Sequence, residues 1–141
     1  DTFDNFSFIE GEITTFNKFT ISGFLQEDFF DEKPEETYSR WNKIRDFCFQ
    51  IIRGKRTPLG FKIVLALPED QIPHFLTAHG LTGYRPEEIR GLYLNFHYDG
   101  HHLQCITGTS LNTFTMDKSI EREWDTEVKS ILKSKNIEGE Y

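Results

Sequence analysis

The chain has 141 residues, of which 37% are hydrophobic and 28% charged, with a formal net charge of −7. That length suits one compact domain over residues 1–141 with a single core, and 14 Phe supply enough apolar volume to exclude a disordered chain. The acidic balance argues against nucleic acid as a partner, and no apolar run reaches the roughly 20 residues that a membrane-spanning helix needs.

Residues 1–25 alternate Phe and Ile with Ser, Thr and Glu. They read as two β-strands with a turn at Phe16-Asn17-Lys18 and a bulge or second turn at Gly11. Residues 26–33 are acidic and aromatic and read as a loop or short helical turn, in which Phe29-Phe30 either docks back onto the core or marks a partner surface. Pro34, Glu35 and Glu36 suit the start of a helix. Its stripe is Thr37, Trp41, Ile44, Cys48, Ile51 and Ile52, widened by Phe47, and Gly54 is its stop. Phe61–Leu67 is apolar on nearly both faces, as a central strand would be. Pro68–His79 reads as a second helix ended by Gly80, followed by a loop with one helical turn at Pro86-Glu87-Glu88.

The most informative stretch is Gly91–Thr107, which alternates apolar and polar residues on both sides of Asp99-Gly100. A two-residue hairpin loop there pairs His97 with His102 and Phe96 with Leu103. One face then carries Leu92, Leu94, Phe96, Leu103 and Cys105, and the other carries Tyr93, Asn95, His97, His102 and Gln104. Gly108–Leu111 reads as a loop into a third strand bearing Thr113 and Thr115. Asp117 caps a last helix with a stripe of Ile120, Trp124, Val128, Ile131 and Leu132. The order ββαβαβββα implies an α+β fold: a mixed or antiparallel sheet with helices covering its apolar face.

Several functions can be weighed on these residues. His97 and His102, facing each other across the hairpin, could share a metal ion with Asn95 or a carboxylate, as a small metal-dependent or ligand-binding enzyme would require. Equally, they are solvated residues near a hairpin tip. Tyr93, Asn95, His97, His102 and Gln104 together form a polar sheet face suited to a small-molecule or protein partner. An RNA-binding sheet would need more aromatic rings there than Tyr93 alone. Arg53, Lys55 and Arg56 form the one basic cluster, able to hold an anion or simply to complement a helix end. Cys48 and Cys105 have no metal or redox spacing and read as small buried hydrophobes. No Ser or Cys nucleophile has a base beside it in the sequence, and no cofactor motif is present. A non-catalytic binding domain without a cofactor is the leading expectation.

Three segments carry a resemblance: Phe3-Asp-Asn-Phe-Ser-Phe-Ile-Glu-Gly-Glu-Ile-Thr-Thr-Phe16, Gly54-Lys-Arg-Thr-Pro58, and Gly91-Leu-Tyr-Leu-Asn-Phe-His-Tyr-Asp-Gly100 with Thr107-Gly-Thr-Ser-Leu111. They resemble a small family of uncharacterised bacterial proteins from Clostridia, a domain of unknown function. The resemblance implies a cytoplasmic protein and a short further segment ahead of Asp1. It brings no catalytic residue, substrate or cofactor.

Overall fold

The computed structural model describes residues 3–52 and 59–134. Five strands form one antiparallel sheet in the order β2-β1-β3-β4-β5, comprising β1 (Ser7–Thr14), β2 (Lys18–Ser22), β3 (Gly60–Ala66), β4 (Ile89–Tyr98) and β5 (Leu103–Leu111). Three helices accompany it: α1 (Trp41–Ile52), α2 (Ile72–Ala78) and α3 (Ser119–Ser134). The α+β class is as expected, and β3 holds the central place that its two apolar faces implied.

The chain divides into two compact units, residues 3–66 with 94–106 and residues 67–93 with 107–134. In the first, β1 pairs with β2 on one side and β3 on the other. The turn expected at 16–18 sits at Thr15-Phe16-Asn17, closed by the Thr15 amide on the Asn17 carbonyl at 2.8 Å. The irregularity in β1 falls between Phe8 and Glu10, ahead of Gly11. Phe8, Ile13 and Leu65 are almost fully buried, and the Phe8 ring meets Trp41 of α1 at 5.9 Å. Gly23 must be glycine for a steric reason: a Cβ there would stand 1.7 Å from the Phe8 carbonyl oxygen.

Residues 34–40 are not helical, although Pro34 looked like a helix start. The Ser39 amide donates to the Gly23 carbonyl at 2.9 Å, its carbonyl accepts from Phe8 at 2.7 Å, and Thr37 accepts from Leu25 at 2.9 Å. These tertiary bonds hold the segment extended, so α1 begins only at Trp41. Phe47 lies outside the inner stripe of α1 and is 56% exposed. Phe29 does not dock on the core: it is 84% exposed and meets the ring of Phe30 at 5.4 Å.

In the second unit, Trp124 of α3 is completely buried. Its indole N–H donates to the Tyr93 carbonyl at 3.0 Å, and its ring meets the edge of Phe75 at 5.7 Å. Ile72, Phe75, Leu76, Ile89, Leu92, Ile120 and Val128 complete this core. Burying so large an aromatic side chain with its N–H satisfied makes the best use of α3's apolar stripe. The helical turn expected at Pro86–Glu88 is present, and Asp117 accepts from the Ser119 amide at the start of α3, as its position suggested.

Residues 108–111 do not turn. They continue β5, and 112–116 lie outside any strand. One longer strand thus stands where a loop and a third short strand were expected. Asn112 explains part of this, because its amide donates to the Glu88 carbonyl at 2.8 Å and its side chain to the Glu87 carbonyl at 2.8 Å. The strand is thereby held straight through Leu111.

Candidate functional site on the open sheet face

The hairpin tip decides which side chains of β4 and β5 meet. The Asp99 amide donates to the His102 carbonyl at 3.3 Å. Asp99 Oδ1 accepts from the backbone N–H groups of both His101 and His102 at 2.8 Å. Asp99 is therefore the first residue of the turn and not part of its two-residue loop. The loop is Gly100-His101, and Gly100 takes φ +97°, open to glycine at little cost. The two backbone N–H groups hold the Asp99 carboxyl below its ordinary range, with the neighbouring His102 and His101 adding to the effect.

Moving the loop by one residue shifts each cross-strand partner by two and leaves the faces unchanged. His97 now faces Gln104, not His102. Leu92 and Leu94 are fully buried as expected, and Phe96 is half-buried. Leu103 is 60% exposed, because its partner is Tyr98 at the tip, beyond the reach of the core.

Among the described residues of the first unit, the opposite face of the sheet presents exposed and half-buried side chains. The registers of β1 with β2 and β3 align Thr20, Glu12 and Lys62 in one row, and Ser22, Glu10 and Val64 in the next. Side chains alternate along a strand, so these share one face while Ile13 and Ile63 are buried on the other. Asn95 and His97 of β4 and Ile106 of β5 extend the rows into a groove of about 540 Å³. A shallower hollow of about 220 Å³ adjoins it and shares Glu12, Lys62 and His97. The Asn95 side-chain amide donates to the Ile106 carbonyl at 3.2 Å, which fixes its orientation. Glu12 meets Lys18 at 3.5 Å, an exposed pair that contributes little. The groove thus has an apolar floor at Val64 and Ile106, carboxylates from β1, an ammonium group from β3 and an imidazole from β4.

The other anticipated residues are placed differently. Tyr93 is half-buried with its ring across Gly91, and it does not line the groove. Gln104 and His102 are exposed. Arg53, Lys55 and Arg56 lie outside the described residues. Among the described residues, no three His, Cys, Asp or Glu side chains gather to hold a metal ion. Cys48 is buried, and burial pushes its thiol up to about 11, which leaves it protonated and unreactive. No helix of the described residues is long and apolar enough to cross a membrane.

The family's sequence profile matches residues 1–140. The chain belongs to DUF5721, a family of unknown function. No curated protein and no solved structure matches it. DUF5721 thus provides a family and no chemistry, and any activity must be argued from the side chains of this chain.

One cluster in this DUF5721 chain was missed in the sequence. His79, just past α2, places Nδ1 2.8 Å from Glu123 Oε2 and Nε2 2.9 Å from Glu127 Oε2. Burial pulls the imidazole pKa down, but the hydrogen bonds and charges of Glu123 and Glu127 outweigh it, and the net direction is up from 6.5. In the protonated form both ring nitrogens donate, and that imidazolium has no lone pair for a metal or for proton abstraction. It ties the end of α2 to α3. The clue in the sequence was Glu123 and Glu127 at i,i+4, a repulsive pair on a helix face unless a cation stands between them.

Proposed function

We propose that this chain is a non-catalytic, cytoplasmic binding domain that takes a small polar ligand in the groove of the open sheet face. The observation that carries this reading is the alignment of Glu12, Lys62 and His97 beside Glu10 and Asn95 over one concavity of about 540 Å³. That volume lies in the range of small-molecule sites, which are roughly 300–1,000 Å³. Carboxylates from one strand and an ammonium group from the next favour a ligand carrying both a cationic and an anionic group, such as an amino acid or a short peptide. The apolar floor would accept its side chain. Ser22 and Thr20 stand across from Glu10 and Glu12, but among the described residues no hydrogen bond joins either hydroxyl to its carboxylate, so recognition, not turnover, is the use that this chemistry supports.

The test is amide-resolved NMR of the 15N-labelled chain with amino acids, dipeptides, sugar phosphates and nucleotides at about 5 mM each, a level that detects even millimolar affinity. Binding of an amino acid or dipeptide should shift the amides of Glu12, Lys62, Asn95 and His97. Lys62→Glu should weaken it at least about tenfold, the loss of one charge-assisted contact. If no compound moves those amides, or if Lys62→Glu binds as well as the parent, the groove is not the site.

A further inference from the structure

β5 lies at one edge of the sheet. Three bonds show which way its backbone points. The His102 carbonyl accepts from the Asp99 amide, the Ile106 carbonyl accepts from Asn95, and the Asn112 amide donates to the Glu88 carbonyl. All three are even-numbered positions, bonded toward β4 and the residue that leads into it. Backbone groups alternate sides along a strand, so odd positions, among them Leu103, Thr107, Thr109 and Leu111, turn their N–H and C=O groups outward. Among the described residues, no segment outside the sheet is hydrogen-bonded to the backbone of those four.

An open edge invites another strand, and proteins guard edges with short length, charge or proline. β2, the opposite edge, is guarded in this way: it has five residues and carries Lys18. β5 has nine residues, Leu103-Gln-Cys-Ile-Thr-Gly-Thr-Ser-Leu111, with no charge and no proline. It is also self-complementary. Read antiparallel to itself about Thr107, Leu103 meets Leu111, Gln104 meets Ser110, and Ile106 meets Gly108, whose missing side chain leaves room for it. Leu103 and Ile106, 60% and 54% exposed in the single chain, would both be covered.

We propose that β5 pairs with β5 of a second copy, antiparallel, about a two-fold axis at Thr107. Every contact is then made twice, as in an isologous dimer. One strand pair buries less than the roughly 800 Å² per partner of a standard interface, so the dissociation constant should be micromolar.

Sedimentation equilibrium tests this. At about 200 µM, well above a micromolar constant, the parent chain should be dimeric. Ile106→Lys sets two like charges diagonally across the axis and should sediment as a monomer with unchanged circular dichroism. Thr20→Lys adds the same charge to the other edge and should remain dimeric. Independently, Thr107→Cys in a Cys105→Ser background should oxidise to a covalent dimer, because hydrogen-bonded antiparallel partners lie about 5.5 Å apart at Cα, within disulfide range. Thr20→Cys in the same background should not. A monomeric parent, a dimer that survives Ile106→Lys, or equal cross-linking of the two cysteine variants overturns the proposal.

Discussion

The histidines of this chain fall into two settings. His97, His101 and His102 stand within six positions of one another, yet all are exposed. The hairpin brings them close together, the Asp99 carboxylate takes the backbone N–H groups of His101 and His102, and all three residues stay exposed to solvent. His79, five positions after the exposed His74, is only 15% exposed. Its partners lie 44 and 48 residues away. Proximity along a strand made the first group conspicuous. Tertiary contact gave the second its electrostatic environment, and environment determines what an imidazole does.

The contrast can be broken most severely at His79. His79→Ala leaves Glu123 and Glu127 facing each other without their cation, and should lower stability by about 1–3 kcal/mol in urea unfolding near neutral pH. A loss indistinguishable from zero would show that the clamp is decorative.

The pH dependence sharpens the same point. A group whose pKa is raised on folding stabilises the fold fully below its unfolded value, here about 6.5, and that stability drains away as pH climbs through the folded value. The gap in unfolding free energy between the parent chain and His79→Ala should therefore be wider at about pH 6 than at about pH 9. A constant gap between those limits would mean that His79 is neutral in the fold.

The smallest effect belongs to the hairpin. The double variant His97→Ala/His102→Ala should shift stability by no more than about 0.5 kcal/mol, as exposed substitutions do. In the groove assay, any loss of binding should come from His97 alone. A stability loss above 2 kcal/mol would place these rings in a network that the fold does not display.

Much of the scaffold was legible in sequence because its signals were local. Alternation in Gly91–Tyr98 separated Leu92 and Leu94 from Asn95 and His97. The stripe of Ile120, Trp124 and Val128 marked α3, and the apolar run at Phe61–Leu67 marked a central strand. The errors arose where distant backbone decided. Pro34 and its glutamates signalled a helix start, but Phe8, Gly23 and Leu25 claimed the peptide groups of residues 37–40 for extended pairing. Asp99-Gly100 signalled the right turn, one residue out of place, because an aspartate can also act from outside the loop through its side chain. The groove was half visible. Asn95 and His97 were identified, whereas Glu10, Glu12 and Lys62 were not, since only the order β1-β3-β4 makes them neighbours.

The two tryptophans of the sequence sort one to each compact unit: Trp41, half-buried, and Trp124, sealed from water. The protein therefore carries its own pair of optical reporters. Trp41→Phe and Trp124→Phe each leave a single emitter, so fluorescence melting of the two variants follows one unit at a time. Coincident curves would describe a molecule that melts as one cooperative body, and separated curves one that comes apart in stages.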